Sequence, residues 1–445
     1  MSKVSHYNST NPATGQLVKS FPSASDEEVI SALARAHDTY IKIWRENPVA
    51  KRCEIIGRAA DLMRERRHEL SEIAVTEMGK TIGGMEMEVD ISADILEYYA
   101  RNGHDFLKTV PCPGVPGAEV VSEPIGVILA IEPWNFPYYQ IARVAGPQIV
   151  AGNTMLVKPA STVPQCALAF EKLLVDAGAP TGVYTNLLCS VSQINALIDN
   201  FLVRGVTLTG SERADASVAE RAGRNMKKVV LELGGSDPLI VLEDANLEEA
   251  IQRYIVIGKE RGAKFQEGIV KIFTAMQAGD PMDRSTTLGP LFAETGVRDI
   301  LAQVEQAKAA GATVVCGGRR INRSGYYVEP TLITNISLEN PLFQQETFGP
   351  VASLYVVDTE EEAICIANAT TFGLGSSIYS SNIEHAKKIA SKMEAGMVFI
   401  NSALNSGADV PFGGVKNSGF GRELSELGIG EFLTKKLVRV HEKYL

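Results

Sequence analysis

The chain has 445 residues, 43 Lys+Arg against 53 Asp+Glu for a net charge of −10, and a composition 45% hydrophobic and 22% charged. That length exceeds one ordinary hydrophobic core, so two or more domains are expected in a soluble α/β protein. An acidic balance with scattered Lys and Arg argues against a nucleic-acid partner, because phosphate binding needs a basic face. No apolar run approaches the ~18 residues of a membrane span and no leader-like start opens the chain, so the expected location is cytoplasmic, with no membrane partner.

The first hundred residues predict a short hairpin followed by helices. Asn11-Pro12-Ala13-Thr14-Gly15 is turn chemistry between Tyr7 and Leu17. Ser25 with Glu28 is a capping-box signature opening a helix toward Trp44. From residue 125 strand and helix alternate: 125–131, 154–157, 183–188, 205–209 and 228–233 are β-rich, with helical stretches near 138–151, 164–177, 192–201 and 212–224. The alternation predicts a parallel sheet covered on both faces, a Rossmann-like nucleotide-binding domain.

A second α/β block is predicted over 236–424, with strands at 237–242, 312–315, 351–357 and 397–401. Within it residues 247–277 break the rhythm. They are helix-like throughout, interrupted only by Gly258 and Gly262, and the pattern predicts no strand there, as if two helices were joined directly and a strand with its preceding loop were absent. Residues 118–122 and 434–440 alternate like edge strands.

The six cysteines, Cys53, Cys112, Cys166, Cys189, Cys316 and Cys365, lie far apart with no C-x-x-C pair. They indicate neither a disulfide framework nor a zinc site, and no metal is expected. Each reads most simply as a small buried residue or an inert thiol.

Five motifs stand in order: Pro133-Trp134-Asn135-Phe136-Pro137, Lys158-Pro159-Ala160-Ser161, Leu231-Glu232-Leu233-Gly234-Gly235, Glu346-Thr347-Phe348-Gly349-Pro350 and Pro411-Phe412-Gly413-Gly414. Together they resemble the aldehyde dehydrogenase superfamily, in particular its bacterial succinate-semialdehyde dehydrogenase branch, over essentially the whole chain. The resemblance implies a Rossmann-like cofactor domain from 1–111 and 126–235, an α/β catalytic domain over 236–424, and a small oligomerisation sheet from 112–125 and 425–445. It implies a homodimer or homotetramer.

In that family a thiolate attacks the aldehyde, hydride passes to a nicotinamide, and water releases the acid. The resemblance gives Asn135 the role of oxyanion donor and Glu232 that of general base, a strand-end carboxylate whose partial burial raises its pKa. It places Trp134, Lys158, Ser161, Gly210, Ser211, Glu346 and Phe348 in the cofactor cradle. The small neutral Ser161 beside cationic Lys158 favours NADP, with NAD possible. Arg143 matches the residue that grips a distal carboxylate on the substrate, with Ser406 as a second contact, so a small aldehyde with a distal carboxylate is the expected substrate. For Arg143 the alternative is a structural pair with an interior acid.

Two departures stand out. The family's thiol lies in a segment of the type Asn-x-Gly-Gln-x-Cys before the Gly-Asp-Pro landmark; Gly279-Asp280-Pro281 is present here, and no cysteine stands between Cys189 and Cys316. Asp215 occupies a position near the pyrophosphate site where the branch usually has Gly. Two readings follow: an aldehyde dehydrogenase whose sequence lacks its nucleophile segment, or a non-catalytic relative that binds cofactor or other subunits.

Overall fold

The computed structural model describes residues 6–210, 212–245, 255–403 and 406–441. The chain opens as its turn chemistry predicts. His6–Asn11 pairs antiparallel with Gln16–Pro22, and Gly15 takes φ +73°, a left-handed position that glycine adopts without a Cβ clash. Ser25 and Glu28 form the capping box of helix Asp26–Thr39, which continues through a wider turn at Tyr40–Trp44.

The alternation from residue 125 builds a six-stranded sheet in the order Gly419–Phe420, Lys228–Glu232, Val203–Thr209, Val127–Ile131, Thr154–Lys158, Tyr184–Asn186. The last five run parallel. Gly419–Phe420 joins antiparallel to Lys228–Glu232, so the chain returns to this sheet after building the other one. Val127–Ile131 is apolar along nearly its whole length and buried, as a strand covered on both faces must be. The strand order reverses beside Val127–Ile131: the chain steps outward through Thr154–Lys158 and Tyr184–Asn186, then restarts on the other side at Val203–Thr209. The crevice at the carboxyl ends of these strands is where an open α/β sheet takes its ligand.

The second sheet has seven strands, in the order Thr313–Cys316, Thr331–Thr334, Val351–Val357, Ile255–Gly258, Leu239–Val241, Gly375–Tyr379, Met397–Ile400. Here the structure corrects the sequence reading. Ile255–Gly258 is a strand, paired in parallel with Leu239–Val241 on one side and with Val351–Val357 on the other. The middle of the sheet is therefore filled, and no ladder is left open there. The strand carries no sequence signal of its own because it runs straight into helix Lys259–Ala275, so its apolar residues extend the helical pattern. The rest of that stretch, 247–254, lies outside the described residues. Thr331–Thr334 and Gly375–Tyr379 are two further strands that the sequence pattern does not predict, because Thr, Ser and Gly dilute their apolar signal.

Phe265, Ile269 and Phe273 of helix Lys259–Ala275 pack on one face of this sheet, against Leu239, Val241 and Leu354. A third, antiparallel sheet places Ala118–Pro124 between Leu433–Arg439 and Val110–Pro111. Both predicted edge segments thus pair with each other, and the outer strand leaves Leu437 and Val438 exposed. Among the described residues no helix is long and apolar enough to cross a membrane.

Candidate active site

Strand Val127–Ile131 ends at the crevice, and the chain turns through Pro133 and Pro137 before helix Tyr139–Ala151 begins. The two prolines fix φ on either side of Asn135 and stiffen the turn. Asn135 Oδ1 is buried and has no hydrogen-bond partner among the described residues, so this oxygen is not spent on holding the fold. The turn is held instead by Glu88, which sequence reasoning did not single out. Its Oε1 accepts the N–H groups of Tyr138 at 3.0 Å and Tyr139 at 3.4 Å, and its Oε2 takes the Lys80 Nζ at 2.9 Å. Lys80 Nζ also stands 3.0 Å from the centre of the Phe136 ring. A carboxylate at the start of Tyr139–Ala151 suits the positive end of the helix dipole. The signal that could have found it is an acid in the run Met85-Glu86-Met87-Glu88-Val89 of a largely apolar helix.

Glu232 closes strand Lys228–Glu232 and is only 2% exposed. Neither of its carboxylate oxygens has a hydrogen-bond partner among the described residues. The Pro411-Phe412-Gly413-Gly414 motif gives it room, since a Cβ on Gly413 would stand 2.8 Å from Glu232 Oε1. Burial, reinforced by the neighbouring Glu423 charge and opposed by Arg143 and Arg422, pushes its pKa up to about 8. A carboxyl so placed is largely protonated at neutral pH and acts as a general base through its ionised fraction, which grows as pH approaches 8.

Arg143, on helix Tyr139–Ala151, is brought close to Glu232 but paired with another acid. Its Nε lies 2.7 Å from Glu423 Oε2, with both side chains almost completely buried. Its Nη2 donates to Thr209 Oγ1 at 3.4 Å, and the guanidinium lies 4.9 Å from the Tyr139 ring centre and 4.4 Å from that of Phe412. Ser406 Oγ is hydrogen-bonded to the Tyr139 hydroxyl. Arg143 and Ser406 thus converge on Tyr139, and the first partner of Arg143 is the interior acid. Nothing local to Glu423 announces this contact, which exists only because the chain returns to the first sheet.

The cofactor residues fall at the carboxyl ends of the same strands. Lys158 ends Thr154–Lys158; its Nζ donates to the Pro159 carbonyl at 3.0 Å and lies 5.6 Å from the Tyr7 ring centre. No carboxylate pairs with it among the described residues, and burial, partly offset by Cys189, pulls its pKa down. Ser161 is exposed and accepts the Asn8 N–H on its carbonyl at 3.1 Å. The Gly210 N–H is bound to the Glu232 carbonyl at 2.9 Å, tying two strand ends together. Ser211 lies outside the described residues, as does the side chain of Asp215.

Two further motifs meet at the same crevice. Glu346 accepts the Gly235 N–H at 3.4 Å, and a Cβ on Gly234 would stand 2.7 Å from its carboxylate, so the Gly-Gly pair permits the approach. Phe348 packs edge-on to Trp134 at 5.3 Å, and Trp134 stacks on Phe292 at 3.7 Å. Phe292 carried no signal in the sequence.

The residues present fit a phosphorylated dinucleotide. Lys158 is a half-buried ammonium without a counter-charge among the described residues, a costly state that a 2′-phosphate would relieve. Burial raises the pKa values of Cys166 and Cys189, Cys365 is exposed on helix Glu360–Asn368, and none is among the groups that perturb Glu232.

Residues 1–438 match the aldehyde dehydrogenase family. A Deinococcus radiodurans protein named as an NADP(+) succinate-semialdehyde dehydrogenase is 45% identical, the match covering 96% of this chain and 94% of that protein. A Synechocystis protein named as a probable enzyme of the same kind is 41% identical over 96% of this chain and 98% of its own length. Among solved structures, the Streptococcus pyogenes succinic semialdehyde dehydrogenase with NADP+ superposes with a TM-score of 0.96 at 41% identity, covering 98% of this chain and 99% of that one.

Proposed function

The chain belongs to the aldehyde dehydrogenase family, and from that premise we propose that it binds NADP and an aldehyde with a distal carboxylate, of the succinate semialdehyde type, in the crevice between Asn135 and Glu232. The observation that carries the cofactor is Lys158, a half-buried cation with no acidic partner among the described residues, beside the small Ser161. NADP-linked names among the relatives support the same reading. When bound, the nicotinamide supplies the hydride acceptor. The chain's own groups are placed for the rest: Asn135 to donate to negative charge on the aldehyde oxygen, Glu232 to accept a proton from water, Glu346 and Phe348 to orient the nicotinamide ribose and ring, and Arg143 with Ser406 to set the charge and shape of the far end.

The nucleophile is the part that is lacking. With no cysteine between Cys189 and Cys316, the covalent route is closed, and positioning and oxyanion donation alone remain. The chain in this sequence is thus a binder of cofactor and substrate that does not turn over. The filled centre of the seven-stranded sheet supports the reading of a stable, non-catalytic relative, assembling through the Leu433–Arg439 edge as a homodimer or homotetramer. Reduction of NADP would be followed with succinate semialdehyde at saturating NADP, beside direct titration of the cofactor. Binding without turnover is expected; turnover within the ordinary ~1–1000 per second of an enzyme would sink the non-catalytic reading.

A further inference from the structure

The seven-stranded sheet carries a cavity of about 370 Å³ that shares Gly235, Glu346 and Phe348 with the site above but none of Asn135, Glu232 or Lys158. That volume lies within the ~300–1,000 Å³ of small-molecule pockets and far above the voids of a close-packed interior. Leu239–Val241 and Ile255–Gly258 are parallel neighbours in this sheet. Here Arg261, at the start of the following helix, holds the carbonyls of Leu242 at 3.1 Å and Ala245 at 2.6 Å, tying the exit of one strand to the end of the next. Helix Lys259–Ala275 covers one face. On the other, the alternate residues Val351, Ser353 and Tyr355 line the cavity.

The chemistry of the walls is specific. Phe343, Phe348, Tyr355 and Ile366 supply apolar and aromatic surface, and among the described residues no Lys or Arg lines the space. Asp237 stands at its mouth, accessible to solvent. Its Oδ1 accepts the Gly375 N–H at 3.0 Å, and no cation pairs with the carboxylate among the described residues. Aromatic faces and a carboxylate together select a cation with an apolar body.

The geometry points to a second ligand site, in which a small arylalkylammonium ion sets its ring against Tyr355 and Ile366 and its ammonium group on Asp237. This goes beyond the proposed dehydrogenase chemistry and does not depend on it. Phenethylamine would be titrated into the full chain by calorimetry, with and without saturating NADP, beside the anionic isostere 3-phenylpropionate. Saturable binding of the amine in both conditions is expected, with none of the anion. Asp237→Asn should weaken the amine about tenfold or more. Ala367→Phe, which fills the cavity and leaves Asp237 in place, should abolish binding, circular dichroism confirming that both variants fold. No saturable binding to the unaltered chain, displacement of the amine by NADP, equal binding of the anion, or unchanged affinity in both folded variants would each overturn the assignment. NADP titrated alone reports separately on the cofactor reading.

Discussion

The Arg143 guanidinium and the Glu423 carboxylate meet at 2.7 Å with 2% and 5% of their side chains exposed, and Thr207 Oγ1 adds a 3.5 Å contact to the same acid. This pair sits against Glu232 and sets its surroundings. Truncating one member of a buried pair leaves the other charge unpaired and costs about 3–5 kcal/mol, whereas replacing both with apolar groups of similar volume is close to neutral. Glu423→Gln and Arg143→Met should each lower the unfolding free energy by that order in urea, and the double variant Arg143→Met/Glu423→Met should recover most of it. Were Arg143→Met harmless to stability while succinate binding vanished, the guanidinium would be a substrate grip and the interior pair incidental.

Glu232 should make stability fall with rising pH. Its folded pKa of about 8 lies above the ordinary 4.5, so between those values the folded chain keeps a proton that the unfolded chain has released. The contribution is fully present below pH 4.5 and is lost as pH climbs through 8. Glu423, also raised by burial, acts in the same direction. Urea midpoints from pH 5 to 8.5 should decline, and Glu232→Gln should flatten the decline. An identical slope in the variant would show that Glu232 titrates as an ordinary carboxylate.

Lys158 should discriminate the cofactors. A charge-assisted bond to a phosphate is worth about 1.5–3 kcal/mol, so Lys158→Met should weaken NADP by roughly tenfold to a hundredfold and leave NAD nearly unchanged. Ser161→Glu should reverse the preference by repelling the 2′-phosphate. Calorimetric titration of both cofactors against both variants checks this, and equal losses for NAD and NADP would place the ammonium elsewhere than at the 2′ position.

Glu88 should matter more than its place in a helix suggests. Its carboxylate binds two N–H groups at the start of Tyr139–Ala151 and the Lys80 ammonium, so Glu88→Ala leaves three donors unsatisfied, at about 1–3 kcal/mol for each buried one. Hydrogen exchange should show faster amides at Tyr138 and Tyr139 in Glu88→Gln, with those of Val127–Ile131 unchanged. Protection unaltered at Tyr138 would mean that Pro133 and Pro137 hold the Asn135 turn without it.

The sequence by itself determined whatever depends on short-range pattern. The Asn11–Gly15 turn, the Ser25 and Glu28 cap, the alternation after residue 125 and the ordered motifs each rest on a few neighbouring residues, and together they fixed the family, the first sheet and the positions of Asn135, Glu232 and Lys158. What depends on where distant strands meet was decided only by the tertiary structure. Ile255–Gly258 is too short, and too closely followed by a helix, to reveal a strand until Leu239–Val241 and Val351–Val357 supply its hydrogen bonds. Glu423 looks like an ordinary acid until the return of the chain at Gly419–Phe420 delivers it to Arg143. Glu88 likewise gains its meaning only when its helix packs beside the Asn135 turn. Burying a charge is costly, so its partner must be present, yet that partner is chosen by topology and not by proximity along the chain.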